Sequence, residues 1–424
     1  MVFFTLFIAS QVLGLIHEYS FGFAGYFDIN STLFIMFHFA VLMSFRHIGE
    51  LKKSLFAKHF IVLLPLYVYA LIYPWVTGLS SLLYCVKASK EFAMYFCYFA
   101  VFLFIRTERQ VNMSWVFIGC LAVYYSLLEV LGGLFHGYLF SFLQYSYQRE
   151  RINFPKIYLP IFTIMVAMFF NRLHKLLFRL RSVKNVLVLS IYSLGVLLTF
   201  FRAYILASVF TVPLLLFLKG NSRKAVIATT AIALIIPLSL LVLVPLTSKS
   251  YEEIFDSFIG SGITELYHYE GGSLRGRDAV SAGRLELVKQ KLWTGWGFVA
   301  WDSEIGKKIR PKLGYDGRTI KGGTELGFID KGYLDVAAKF GIIGSILLYG
   351  SFVTALFKLI KVLRASNSID FNPRAFACAA LIIVFLCVQF THAPLTRQFG
   401  IIPLSIVMAL VDRQYVLLSG TLNS

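Results

Sequence analysis

Residues 225–246 read AVIATTAIALIIPLSLLVLVPL and residues 332–357 read GYLDVAAKFGIIGSILLYGSFVTALF; between them, Thr247 to Asp330 is the long polar interval of an otherwise apolar chain. About 20 apolar residues cross the hydrocarbon of a bilayer as a helix, and each flank reaches that length. The interval therefore reads as the sizeable soluble element of a multi-spanning membrane protein. Its Lys and Arg nearly balance its Asp and Glu, so the positive charge of the chain lies elsewhere.

Composition agrees with that reading. The 424 residues are 58% hydrophobic and 17% aromatic, with a mean hydropathy of +0.73, above the roughly 45–50% apolar content of soluble domains. The net charge of +18 comes in short clusters between apolar runs, where Lys and Arg set membrane orientation, and the pattern does not fit a nucleic-acid partner. Cys85, Cys97, Cys120, Cys378 and Cys387 lie in or beside apolar runs without metal-ligand spacing, so no metal site is expected. The chain starts apolar at Val2 without a basic leader region, which reads as a retained first span.

About twelve runs qualify as spans, near 1–16, 26–45, 60–83, 92–105, 113–135, 157–170, 185–201, 203–218, 225–246, 332–357, 375–392 and 398–418. The fold class expected is an all-α polytopic membrane protein, divided into helices over 1–246, a loop over 247–330 and helices over 331–424. With the N-terminus inside, threading puts the basic clusters at 46–58, 106–109, 172–184, 219–224 and 358–374 on the cytoplasmic side. The 247–330 loop, the 136–156 loop and the turn at Arg202 then share the outer side.

Several residues could carry chemistry there. Arg202 interrupts an apolar stretch, and a cation at such depth is costly unless paired or facing a polar cavity; closing a tight turn is its plain alternative. Arg284, Arg275 and Arg277 offer planar forks that suit phosphate, or else a solvated face. A short helix over 281–293, with Leu285, Val288 and Leu292 on one face, would present Arg284 in its first turn and stop at Gly295. Trp296, in Gly295-Trp296-Gly297-Phe298, could stack on a sugar ring or rest at the membrane interface. Asp330 could accept a proton from an attacking hydroxyl or cap the next helix. No Walker loop, HExxH, GxGxxG, GxSxG or acidic pair for a metal-bound nucleotide is present, which argues against nucleotide-driven chemistry.

Four stretches together resemble the O-antigen polymerase and O-antigen ligase superfamily. Thr199-Phe200-Phe201-Arg202-Ala203 is similar to its Thr-x-Ser-Arg-Gly/Ala turn, with Phe201 where Ser is usual. Ser281-Ala282-Gly283-Arg284 followed by Gly295-Trp296-Gly297-Phe298 resembles its Ser-Gly-Arg helix and Gly-x-Gly turn, without the preceding Pro. Asp330-Lys331-Gly332-Tyr333-Leu334 through Gly341 resembles its re-entry segment, and Arg149-Glu150-Arg151 a basic segment before a span. The resemblance covers about residues 149–344. It implies a GT-C-like bundle with a catalytic extracytoplasmic loop, in the bacterial inner membrane with the site facing the periplasm. It also implies metal-independent, inverting glycosyl transfer without a cofactor.

The substrates so implied are undecaprenyl-pyrophosphate-linked glycans as donor and acceptor, with membrane lipids and a chain-length regulator protein as further partners. Arg202 and Arg284 would stabilise charge growing on pyrophosphate, and Asp330 would act as base where the ligases carry His. Arg149, Arg151, Arg275, Arg277, Trp296, Lys331 and Tyr333 would contact substrate. Asp330 tips the expectation toward a polymerase; a ligase acting on lipid A core and, from another class, a glycolipid flippase are the alternatives.

Overall fold

The computed structural model describes residues 38–39, 41–134, 147–151, 154–157, 163–178, 182–198, 202–227, 229–230, 284–299, 332–366 and 368–421. The long elements, in chain order, are α1 (Ala57–Val76), α2 (Leu82–Ala93), α3 (Cys97–Phe104), α4 (Glu108–Leu134), β1 (Tyr147–Arg151), β2 (Phe154–Ile157), α5 (Thr163–Phe178), α6 (Val183–Leu198) and α7 (Arg202–Leu218). They are followed by α8 (284–290), α9 (Gly332–Ala365), α10 (Phe371–Val388) and α11 (Gln398–Thr421). Among the described residues, α1, α9, α10 and residues Gly400–Ser419 of α11 are long and apolar enough to cross a membrane. Shorter apolar helices run over Val183–Leu197 and Ala203–Leu218.

The chain is thus a helical membrane protein, with three departures from the sequence reading. The expected run at 60–83 stops at Val76, turns at Gly78 with φ +68° and restarts at Leu82, where the Ser81 hydroxyl accepts the Tyr84 N–H. The run at 92–105 is broken by a 3-10 turn at Met94–Phe96. Residues 147–157 form an antiparallel hairpin, pairing Tyr147 with Ile157 and Arg151 with Phe154, so the all-α expectation does not cover this segment. Pro155 lacks an N–H yet fits a two-stranded ribbon, which leaves each strand one unpaired edge. The expected span at 1–16, most of 26–45, and all of 225–246 except residues 225–227 and 229–230 lie outside the described residues.

Two compact units are built from these helices. The first contains α4, the hairpin, α5, α6, α7, the last turn of α9 from Leu359 and most of α10. Its helices α4, α5 and α6 pack against one another, and the buried Tyr192 hydroxyl donates to the Gly119 carbonyl at 3.1 Å. The second contains α1–α3, α8, α9 through Lys358, and α11.

In the second unit α11 packs on α3 and carries a fully buried carboxylate, Asp412. It accepts the Leu55 N–H at 2.7 Å and the Phe56 N–H at 3.0 Å, together with the hydroxyls of Ser54 and Tyr98. The first N–H groups of a helix have no partner of their own. Asp412, more than 350 residues away in sequence, thus holds the two N–H groups just before α1, while the first N–H of the helix itself, that of Ala57, donates to the Ser54 hydroxyl at 2.7 Å.

Candidate functional site

Gly341 divides α9. Its φ of +66° and ψ of −170° break the helix between Phe340 and Ile342. A broken helix in a membrane must find partners for its freed backbone groups inside the protein. Residues 292–297 provide them: the Leu292 carbonyl accepts the Ile342 N–H at 2.8 Å. The N–H groups of Trp296 and Gly297 donate to the carbonyls of Ala338 and Lys339 at 2.8 and 2.9 Å. The same segment reaches α1, where Pro74 has no N–H for the Ala70 carbonyl four residues earlier. The Phe298 N–H takes that carbonyl at 2.7 Å.

Close backbone contact explains the glycines. Gly295 and Gly297 have φ of +68° and +72°, and a Cβ on either would come within 2.5 Å of the Gly341 nitrogen or the Ala70 oxygen, respectively. Phe298 completes the insertion among the rings of Tyr67, Phe92 and Phe340. The stretch 292–298 is therefore threaded between a broken helix and a proline-containing one.

That insertion positions α8. The described part of the helix starts at Arg284, and its buried face is Arg284, Leu287 and Val288, while Leu285 and Leu292 are exposed. The expected face of Leu285, Val288 and Leu292 is thus rotated about the helix axis. The reason is polar. Arg284, 1% exposed, turns inward to Asp335 of α9, with Nη1 3.5 Å from Oδ1. The Trp296 indole donates to the Leu287 carbonyl at 2.9 Å.

Asp335 is the centre of a buried cluster. Lys339, one turn on, places Nζ 3.2 Å from Oδ2, and the Thr396 hydroxyl donates to that oxygen at 2.5 Å. Arg397, next to Thr396, pairs with Glu91 at 3.1 Å. Three cations against two carboxylates leave the described cluster with an excess positive charge, at the N-terminal end of α9, where the helix dipole also favours an anion. Gly332 packs against the chain after α10, its N–H donating to the His392 carbonyl at 3.1 Å. His392, half-buried, meets the first residue of α9 through its backbone carbonyl, while its imidazole lies against the Thr391 hydroxyl at 3.1 Å.

Of the sequence candidates, the second unit therefore holds Arg284, Trp296 and Tyr333. Trp296 is buried, its described contacts internal, while Tyr333 is 39% exposed beside Phe390. Arg202 is the first residue of α7 in the other unit, and Arg149 and Arg151 lie on β1. Asp330, Lys331, Arg275 and Arg277 lie outside the described residues, as do the N-terminal residues 281–283 of the expected loop helix. Asp335 stands in the sequence as one of four acids, with Glu265, Glu270 and Glu325, among which the base would be sought if Asp330 only caps a helix. Lys339, Thr396, Arg397, Glu91 and His392 were missed, although Asp335 and Lys339 at i and i+4 within an apolar run form a readable pair.

Among the described residues no cluster of His, Cys, Asp or Glu could hold a metal ion. No curated protein matches the chain. Residues 186–349, from α6 through the middle of α9, match the family model described as O-antigen ligase, and the chain thereby carries a domain consistent with the O-antigen polymerase and ligase superfamily.

Proposed function

We propose that the protein is a surface-polysaccharide polymerase that transfers a glycan from undecaprenyl pyrophosphate to the non-reducing end of another lipid-linked repeat unit, by metal-independent inverting glycosyl transfer. The observation that carries this reading is the buried guanidinium of Arg284, held by Asp335 beside the Lys339 ammonium. When the bond from sugar to pyrophosphate breaks, negative charge grows on the phosphate oxygens. Cations already in place stabilise that charge without reorganising. Arg202 is the second candidate for this role. Asp330 would orient or deprotonate the attacking hydroxyl, with a carboxylate where the ligases carry His, and the 247–330 loop would face the periplasm.

Purified protein supplied with undecaprenyl-pyrophosphate-linked repeat units alone should lengthen the glycan. Transfer that requires added lipid A core would assign the chain to the ligases instead. Movement of the lipid-linked glycan across vesicles without any new glycosidic bond would overturn enzymatic transfer altogether.

A further inference from the structure

The first unit encloses a cavity of about 400 Å³ among α4, α5, α6 and α10. Arg172 and Lys175 of α5 and Arg374 of α10 line it, with Asn112 of α4. Arg374 donates from Nη2 to the Asn112 side-chain oxygen at 2.7 Å, but its buried Nη1 has no hydrogen-bond partner among the described residues. Arg172 donates from Nη1 to Asn185 at 3.1 Å, while its buried Nε is likewise unpartnered among the described residues. Burial, and then the neighbouring Arg172 and Arg374, pull the Lys175 ammonium below its ordinary range. The nearest opposing charges, Asp370 and Glu108, are both exposed. No ion pair with any of the three cations is present among the described residues.

Three half-buried cations facing one space repel each other and leave hydrogen-bond donors unmet, and an anion resolves both costs. Planar guanidinium forks favour phosphate oxygens. Asn171 and Tyr192 also line the cavity, and Trp115, Val116 and Val188 give it apolar walls. Val116 at its edge, with Met113 and Leu187 outside it, is exposed, a surface suited to acyl chains.

We infer that this cavity holds the phosphate headgroup of an anionic membrane phospholipid, with Arg172, Lys175 and Arg374 as its cationic contacts. The occupant is a lipid rather than a free anion because the polar floor opens onto uncovered apolar helix faces. A basic pocket between spans on the cytoplasmic side is suited to such headgroups. This inference is independent of the glycosyl-transfer reading, since none of the three residues belongs to the Arg284–Asp335 cluster.

The test uses the full-length protein in detergent, titrated with phosphatidylglycerol, phosphatidylcholine or inorganic phosphate, and read by native mass spectrometry and thermal unfolding. Phosphatidylglycerol should remain bound and raise Tm, whereas phosphatidylcholine should not. The pair Arg172→Gln and Arg374→Gln should weaken retention roughly thirtyfold, at about fivefold per cation near a membrane surface. Arg364→Gln, a basic change outside the cavity, should leave retention unchanged.

Should the double variant fail to fold, the parental protein still decides the matter. Cys120 lines the cavity and is exposed, so phosphatidylglycerol nanodiscs should slow its maleimide labelling relative to phosphatidylcholine ones, with the exposed Cys387 as an internal reference. Equal labelling, equal retention of both lipids, or stabilisation by inorganic phosphate alone would each overturn the proposal.

Discussion

Arg284 and Asp335, each at most 2% exposed in its side chain, carry charges that neither could hold alone at that depth. Removing one member of such a pair costs about 3–5 kcal/mol, because the other is left buried without compensation. Arg284→Ala should fall near the lower end, since Lys339 and Thr396 still hold Asp335. A stability loss alone would say nothing about chemistry. The double variant Arg284→Ala with Asp335→Asn separates the roles: it should be less destabilised than the sum of the single changes by more than about 0.5 kcal/mol, as expected for contacting residues, while glycan transfer stays lost. Return of transfer along with stability would make Arg284 a structural residue. Arg284→Lys should restore little transfer if two-pronged phosphate recognition matters. The base is tested in the same assay. Asp330→Asn should slow transfer roughly a hundred- to ten-thousand-fold and His392→Gln much less; the reverse order would move the base to His392, whose carbonyl accepts the Gly332 N–H. Arg284 stood out in the sequence as part of a short motif. Its buried partner did not, because burial of a loop residue depends on contacts distant in sequence.

The element that organises the site is the divided helix α9. From sequence, the glycine at 341 could be matched to a family pattern but not explained. In the structure it leaves helical geometry, and the backbone groups that it frees pair with residues 292–297. A Cβ at 341 would run into the Trp293 carbonyl and the Thr294 nitrogen, both backbone atoms with no freedom to swing aside. Gly341→Ala should therefore lower thermal stability in detergent by more than the about 1–2 kcal/mol that a left-handed alanine costs alone, and should uncouple Arg284 from Asp335. Gly350, in the same helix, has nothing within 4 Å of its missing Cβ, so Gly350→Ala should be neutral or stabilising by up to about 1 kcal/mol. Similar losses in both variants would show that the broken geometry at 341 is not what holds the loop. The rotated face of α8 belongs to this scale as well. An apolar stripe was the reasonable reading of Leu285, Val288 and Leu292, yet an arginine with a buried acidic partner outranked a leucine for the inward position.

Across the whole molecule the question is which ends of the helices share a side of the membrane. Charge patterning alone assigned the clusters near 106–109, 172–184, 219–224 and 358–374 to one side. Within the first unit, members of the last three occur in contacts that join the same helix ends, and Asn112, just after the first cluster, is one of their partners. Arg374 bonds Asn112, Arg172 bonds Asn185, Lys219 meets His174, Lys224 donates to the Leu177 carbonyl and Arg364 to the Leu218 carbonyl. In the second unit Lys358 of α9 approaches His59 near the start of α1, beside the 46–58 cluster. The Arg284–Asp335 pair sits at the other end of α9. Beyond the break at Gly341, residues 342 to 358 alone give roughly 24 Å of helix at about 1.5 Å each, most of the roughly 30 Å of bilayer hydrocarbon. Within the second unit, the Lys358 end of α9 and the Arg284–Asp335 pair therefore belong on opposite faces. Because Lys and Arg in short loops favour the cytoplasm, a reporter fused after Lys184 or Lys224 should be cytoplasmic and a tag at Gly306 extracytoplasmic. Cytoplasmic access to the Gly306 tag would invert the protein and place its arginine cluster on the wrong side for an extracytoplasmic glycan.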